Sequence, residues 1–278
     1  MKSLPVKQFS LLDTIESGQT FSWSREGDGY LNADLGQVVY VEQREDILYY
    51  ETSSHAIDVG SLFRLTDPLD VIHSEITREG IVEESIAFAP GLRIVSDPFL
   101  PCLFSFISSI QKNIPAIHNL MSCIRKEWGP RYEFHGKAIY GFPSLEDLLE
   151  ARISDFEKLN AGYRSKFFAQ TIDALNREVV TEEQLREMNY SDAHKALKKL
   201  HGVGDKVADC VCLFSLGFLE AFPIDVWIEK VIQEHYPIFE EDGKSYQKRA
   251  AAARDYFGQY AGYAQEYLFY YARCKGQK

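Results

Sequence analysis

The stretch Lys198-Lys199-Leu200-His201-Gly202-Val203-Gly204-Asp205-Lys206-Val207-Ala208-Asp209-Cys210 holds the residues best suited to chemistry in this 278-residue chain. It reads as a helix, a tight Gly-x-Gly turn and a second helix, spanning about 192–216 with its flanks. Gly202 and Gly204 let the backbone turn sharply and approach a ligand with no Cβ in the way. The second helix opens near Asp205, so its free N–H groups and positive dipole end suit a phosphate. Such a contact grips a nucleic-acid backbone and reads no bases. A plain helix–helix turn would use the same glycines. The setting favours phosphate binding through Gly202, Val203 and Gly204: Leu197, Leu200, Val203 and Val207 staple the two helices, and Lys195, Lys198 and Lys199 lie just upstream.

Lys206 falls in the first turn of that second helix, where the dipole disfavours an ammonium. A lysine amine freed of its charge is the raw material of Schiff-base chemistry. Downstream, Ala221-Phe222-Pro223-Ile224-Asp225-Val226-Trp227 brings an aspartate to the start of the next helix. Alone, Asp225 would be read as a helix cap. Beside a helix-start lysine at the mouth of a helical cleft, it can also hold a nucleophile and stabilise the oxocarbenium charge of glycosidic cleavage.

The remaining chain must position these groups. Residues 1–100 carry 17 acidic and 7 basic side chains, whereas residues 101–278 carry 24 and 23. The overall charge of −11 therefore belongs to the first third and does not exclude a polyanionic partner. Gly36–Val41 and Asp46–Tyr50 are β-rich runs between turn residues, and with Phe21–Trp23 and the segment near Tyr30 they predict an antiparallel sheet. Leu62, Leu69, Ile72, Ile76 and Ile81 are spaced for amphipathic helices. After Asp97-Pro98 the strand pattern ends and helices are expected over about 99–125, 144–150, 164–177, 181–188, 192–199, 204–216, 225–235, 245–257 and 262–272. The expected architecture is α+β: an N-terminal antiparallel β-sheet domain with helices over 1–97, then an all-α body over 98–278. The five cysteines, Cys102, Cys123, Cys210, Cys212 and Cys274, show neither disulfide nor metal spacing, so no metal or cofactor is expected. No signal core and no apolar run of membrane length is seen, which predicts an intracellular protein, cytoplasmic or nucleoid-associated, that does not engage a membrane.

Leu200 through Asp209 followed by Pro223-Ile224-Asp225 resembles the helix–hairpin–helix DNA glycosylase superfamily, and within it the eukaryotic-type 8-oxoguanine DNA glycosylases. The likeness continues in order through most of the chain. It includes Ser17-Gly18-Gln19-Thr20-Phe21-Ser22-Trp23, Asp97-Pro98 through Ile107, His135-Gly136, Phe142-Pro143-Ser144-Leu145, Gly162-Tyr163-Arg164 and Gly262-Tyr263-Ala264-Gln265 with Leu268-Phe269. The resemblance implies that Lys206 attacks C1′ of the damaged nucleotide and that Asp225 assists and stabilises the sugar cation. It also implies nicking by β-elimination from the resulting imine. Gly18 would accept the N7 hydrogen that distinguishes 8-oxoguanine from guanine. Phe269 and Cys210 would sandwich the base, Gln265 would read its Watson–Crick edge, and Tyr163 would wedge into the vacated stack. All of this requires an extruded base. The implied partner is double-stranded DNA containing 8-oxoguanine, engaged by a monomer. On residue type alone, Phe269 and Cys210 are core residues, Tyr163 is a surface aromatic and Gly18 is a turn glycine.

Two departures from the resemblance stand out. The animal enzymes hold the opposite cytosine with an asparagine and two arginines. Here Gln111 stands for the asparagine and Ala116 for one arginine, while Arg164 keeps the other and Asn113 lies in the same stretch. A lost bidentate donor weakens discrimination by about 1–3 kcal/mol, so a relaxed opposite-base preference is expected. Trp227 replaces a histidine common at its position, so the phosphate contact of that histidine is not carried over to this chain. A related glycosylase for other oxidised or alkylated purines is the nearest alternative. Gly18, Gln265, Phe269 and Lys206 argue against the alkylated-purine branch. A non-catalytic hairpin module would need neither Lys206, Asp225 nor the sheet.

Overall fold

The computed structural model describes residues 1–78 and 80–276. Five strands, β1 (Lys2–Pro5), β2 (Trp23–Glu26), β3 (Gly29–Asn32), β4 (Val39–Arg44) and β5 (Ile47–Thr52), form an antiparallel sheet in the order β1-β5-β4-β3-β2. Period-two alternation puts Trp23, Tyr30, Val39, Val41 and Leu48 into one apolar core with Phe9, Leu11, Ile15 and Phe63. Helix α1 (Leu11–Glu16) starts at Ser10, whose hydroxyl caps Asp13 N, and leads directly into Ser17 and Gly18.

Ten principal helices follow among the described residues: α2 (Leu69–Ile76), α3 (Ile81–Phe88), α4 (Phe99–Ser108), α5 (Ile114–Trp128), α6 (Arg164–Asn176), α7 (Tyr190–Leu197), α8 (Asp205–Val211), α9 (Val226–His235), α10 (Tyr246–Phe257) and α11 (Ala261–Gly276). Shorter helical turns lie between them. The apolar faces of α2 and α3 do not pack on the sheet. Leu69, Ile72, Ile76 and Val82 join the large helical core with Tyr263, Tyr267 and Leu268 of α11. The Tyr263 hydroxyl donates to Asp67 at 2.8 Å and the Tyr267 hydroxyl to the Leu92 carbonyl at 2.9 Å, so α11 is keyed to the chain that precedes α4.

Two sequence expectations need correcting. The region after residue 97 is not all-α, because Arg131–Phe134 and Lys137–Tyr140 form an antiparallel hairpin, β6 and β7. Each strand has only four residues, too few for alternation to stand out, and the turn residues His135 and Gly136 both take positive φ (48° and 73°). Phe134 packs with Leu31, Ala33 and Val38, a cluster separate from the sheet's main core. The helix expected over about 99–125 is likewise two helices. Gln111 lies in the left-handed region at φ 52°, and Asn113 then caps α5 by accepting from Ala116 N at 3.0 Å. The break between α4 and α5 opens onto the main cleft.

Candidate active site

The hairpin forms as its side-chain pattern requires. Leu197, Leu200, Val203 and Val207 are all buried, which locks α7 against α8. Gly202 sits at φ 79°, and a Cβ there would lie 2.6 Å from the Phe167 ring. Gly204 differs: it is extended at φ −90°, and a Cβ on it would meet open space. Its glycine character answers to no neighbour within the chain. Lys198 Nζ pairs with Asp205 Oδ1 at 2.5 Å across the turn.

A cleft of about 920 Å³ runs past this hairpin and is lined by residues from six separated parts of the chain, among them Gly18, Ser109–Pro115, Gly202 with Gly204–Val207, Asp225–Trp227, Tyr246 and Phe269. Lys206 and Asp225 both face into it. Lys206 Nζ donates to Ser109 Oγ at 2.9 Å and stands 5.0 Å from the Phe106 ring centroid. Asp225 is the N-cap of α9, with Oδ1 accepting from Trp227 N at 3.0 Å and Ile228 N at 2.9 Å. Among the described residues its Oδ2 has no hydrogen-bond partner. Burial raises the Asp225 carboxyl above the usual range, opposed by the Ile228 amide and the Lys206 charge. Capping and a free carboxylate oxygen thus coexist on one side chain.

A buried hub ties these two residues together. Asp209, one turn along α8 from Lys206, is fully buried and accepts from the hydroxyls of Tyr190 at 2.5 Å and Tyr246 at 2.6 Å. The Tyr246 oxygen in turn accepts from Ile224 N at 3.1 Å, immediately before Asp225. Burial pushes the Asp209 carboxyl up, against the pull of His194 and the two hydroxyls.

Gly18 and Phe269 meet across the cleft. Gly18 takes φ 106°, and a Cβ on it would stand 3.1 Å from Phe269 Cε1 and 3.2 Å from Ile114 Cδ1. The turn is held rigidly: Gln19 Nε2 donates to the Thr14 and Arg93 carbonyls at 2.9 and 2.8 Å, and its Oε1 accepts from Val95 N at 2.8 Å. Thr20 adds a hydroxyl contact to buried Asp97 at 2.6 Å. Gln265, one helical turn before Phe269 on α11, is 4% exposed and lies behind the cleft wall, with its Oε1 unpartnered. Cys210 is 2% exposed, and burial pushes its thiol up to about 12 against the pull of Lys206. Neither Gln265 nor Cys210 lines the open cleft.

At the other end, Gln111 and Asn113 line the cleft while Tyr163 and Arg164 approach from the start of α6. Tyr163 is 49% exposed and its hydroxyl reaches the Ile110 carbonyl and Gln111 Oε1, each at 3.3 Å. Arg164 is turned inward, 4% exposed, with its guanidinium on the Ile110 carbonyl and 4.5 Å from the Tyr163 ring centroid. The sequence alone assigns no role to Ser109, Tyr246, Asp209 or Gln19. Gln19 and Asp209 carry a signal, as parts of the segment around Gly18 and of the hairpin motif; Ser109 and Tyr246 depend on contacts far apart in the chain.

Among the described residues, no cluster of three or more His, Cys, Asp and Glu side chains is arranged to hold a metal ion, and no helix is long and apolar enough to cross a membrane.

Comparison with known proteins bears on this arrangement. A family profile described as 8-oxoguanine DNA glycosylase, N-terminal domain, matches residues 3–103. A probable N-glycosylase/DNA lyase of Methanothermobacter thermautotrophicus is 33% identical over 209 residues, 67% of this chain and 65% of that protein, so the matched part is just under two thirds of its length. An N-glycosylase/DNA lyase of Arabidopsis thaliana is 28% identical over 282 residues, 92% of this chain and 75% of the other. Among solved structures, the 8-oxoguanine glycosylase/lyase of Clostridium acetobutylicum, in complex with duplex DNA carrying cytosine opposite 8-oxoguanine, superposes with a TM-score of 0.90 at 32% identity. That alignment covers 98% of this chain and 94% of that one.

Proposed function

The chain belongs to the 8-oxoguanine DNA glycosylase family, and on that premise we infer that it excises 8-oxoguanine from duplex DNA and then nicks the strand. The observation that carries this inference is the meeting of Lys206, Asp225 and Gly18 with Phe269 in one cleft beside the hairpin.

The Lys206 nitrogen attacks C1′ of an extruded nucleotide through its lone pair. The C1′–N9 bond breaks with its electron pair leaving on the base, which takes up a proton. The free Asp225 oxygen faces the positive charge that grows on the sugar, where a fixed carboxylate in a cleft is worth most. The nitrogen lone pair then forms the C1′–Nζ double bond as the C1′–O4′ bond breaks onto oxygen, which takes a proton from water, so the sugar ring opens and an iminium remains. Loss of a C2′ proton expels the 3′ oxygen with its phosphate, which breaks the strand. The iminium is the electron sink for that elimination.

In the same proposal Gly18 offers its carbonyl to N7–H of the lesion, Phe269 and Cys210 enclose the base, and Gln265 meets its Watson–Crick edge. The unpartnered Gln265 oxygen is suited to the N–H donors of that edge. Tyr163 enters the stack, with Gln111 and Asn113 facing the opposite base and Arg164, turned inward, supporting them through the Ile110 carbonyl. Gly202, Val203 and Gly204 approach phosphate with their backbone, and the open space beside Gly204 is in keeping with that. The chain acts as a monomer, inside the cell.

Borohydride trapping on a duplex with one 8-oxoguanine opposite cytosine tests the proposal. The native chain gives a covalent band and Lys206→Gln gives none. Trapping by both proteins would move the nucleophile elsewhere. DNA binding by a folded native chain, with neither excision nor trapping, would overturn the enzymatic assignment.

A further inference from the structure

Lys206 reaches its place in the cleft through a contact that the reaction scheme above does not use. Its Nζ donates to Ser109 Oγ at 2.9 Å, and the Ser109 hydroxyl donates its own hydrogen to the Phe106 carbonyl at 2.7 Å. With its one proton committed to the backbone, the Ser109 oxygen presents only lone pairs to the lysine. That arrangement suits every state of the nitrogen, since amine, ammonium and iminium each carry an N–H. No proton has to move at Ser109 during the reaction.

Ser109 is also the first residue of the segment between α4 and α5. Its carbonyl accepts from Lys112 N at 3.2 Å, closing a tight turn. Within that turn the Ile110 carbonyl is gripped by the Arg164 guanidinium and accepts from the Tyr163 hydroxyl at 3.3 Å. Gln111 sits at φ 52°, a backbone conformation that few non-glycine residues hold without support, and its Oε1 lies 3.3 Å from the same Tyr163 hydroxyl, whose single hydrogen the two oxygens share. The turn is therefore fixed at one end to the lysine and at the other to the side chains that face the opposite strand.

We propose that Ser109 is a positioning residue that orients the Lys206 amine and couples it to the Ile110–Gln111 turn on the opposite-strand side of the cleft. This rests on the assignment of Lys206 as nucleophile. An amine attacks through its lone pair, and rotation about the Cε–Nζ bond is otherwise nearly free. Fixing one N–H on Ser109 limits where the lone pair points. The Phe106 ring, on which Lys206 also borders, supplies no directional acceptor of comparable strength. A displacement of Gln111 by an ill-fitting opposite base moves Ser109, two residues away in a closed turn, and so moves the nucleophile. Small misplacements of reacting groups are expensive in rate. Opposite-base discrimination in this chain is thus exerted partly on the chemical step, in addition to binding.

The test compares native protein, Ser109→Ala and Ser109→Thr in single-turnover excision of 8-oxoguanine opposite cytosine and opposite adenine, alongside affinity for the same duplexes. Ser109→Ala should slow excision opposite cytosine by roughly tenfold, the worth of one hydrogen bond to the nucleophile. Its cytosine-to-adenine rate ratio should shrink by about threefold or more, its DNA affinity should stay native, and Ser109→Thr should recover most of the rate. A native rate and ratio in Ser109→Ala would overturn the proposal. So would an equal loss opposite both bases, or a loss in affinity and rate together that threonine does not restore. Failure of the native chain itself to excise or trap would overturn the parent assignment along with this one, and shows itself before any substitution is made.

Discussion

Replacing Gly18 with alanine isolates base recognition from strand cleavage. Gly18 holds φ 106°, and a residue with a Cβ forced into such a region is strained by about 1–3 kcal/mol. The added methyl would lie 3.1 Å from Phe269 Cε1 and 3.2 Å from Ile114 Cδ1, against an optimal carbon–carbon separation of about 3.5–4.0 Å. The Gly18 turn cannot simply retreat, because Gln19 clamps it to Thr14, Arg93 and Val95. Phe269 must therefore give way by several tenths of an ångström, at the slot where the lesion would lie. Losing about 1.5–3 kcal/mol of transition-state stabilisation there slows excision by roughly ten- to a hundredfold. A preformed abasic site has no base to accommodate, so nicking at such a site should change by less than about threefold. The assay is single-turnover cleavage of two duplexes, one with 8-oxoguanine and one with an abasic site, each opposite cytosine. A melting curve guards against global unfolding, since a 1–3 kcal/mol strain lowers the transition by several degrees only. Equal losses on both substrates, or native excision of the lesion, would refute the reasoning.

Asp225→Asn keeps an oxygen for Trp227 N and Ile228 N, so folding stability should change by no more than about 0.5 kcal/mol while excision falls by roughly a hundredfold or more; parallel melting and single-turnover measurements check this, and retained excision would reduce Asp225 to a cap. Burial lifts the Glu266 carboxyl from the ordinary 4.5 to about 7, opposed by Ser17 and Arg273, so within that window the folded chain holds a proton that the unfolded chain lacks. Stability therefore declines as pH rises through the window, by up to about 3 kcal/mol, and Glu266→Gln should lessen the decline in melting temperature between about pH 5 and 8; an unaltered slope contradicts it. Gln111 and Ala116 predict weak preference for cytosine, to be read from excision opposite cytosine, thymine, guanine and adenine, and a stringent cytosine requirement would contradict it.

Much of this site was legible because its motifs are local. The spacing of Leu197, Leu200, Val203 and Val207 announces two stapled helices, and Gly202 at φ 79° against Phe167 justifies the turn. The Pro223-Ile224-Asp225 approach announces a helix start, which Asp225 indeed caps. What stayed hidden is non-local or lies below the length at which a pattern forms. The hairpin at Arg131–Tyr140 is built from four-residue strands, and no local rule indicates that its Phe134 packs beside Leu31 and Val38. The break at Gln111 was masked by continuous apolar periodicity on both sides, although Asn113 and Pro115 spell a helix start. Of the two roles that the Gly-x-Gly spacing suggests, the sharp turn falls to Gly202 alone, because a Cβ on Gly204 would meet open space. Inward burial of Arg164 has no sequence signal, because it depends on a carbonyl 54 residues away.

The chain of hydrogen bonds from Ile224 N through the Tyr246 hydroxyl to Asp209 has a consequence for how this sequence can drift. Losing the tyrosine alone strips a buried carboxylate of a donor and a backbone amide of its acceptor; losing the aspartate alone takes the acceptor from two half-buried tyrosine hydroxyls. Each single step is penalised by the group left unpaired, whereas a joint exchange that restores or removes the whole set is not. Positions 209 and 246 should consequently behave as one locus. In a saturation library, tolerated residues at either position depend on the occupant of the other, and productive lineages cross between solutions by paired change while Lys206 and Asp225 themselves remain untouched.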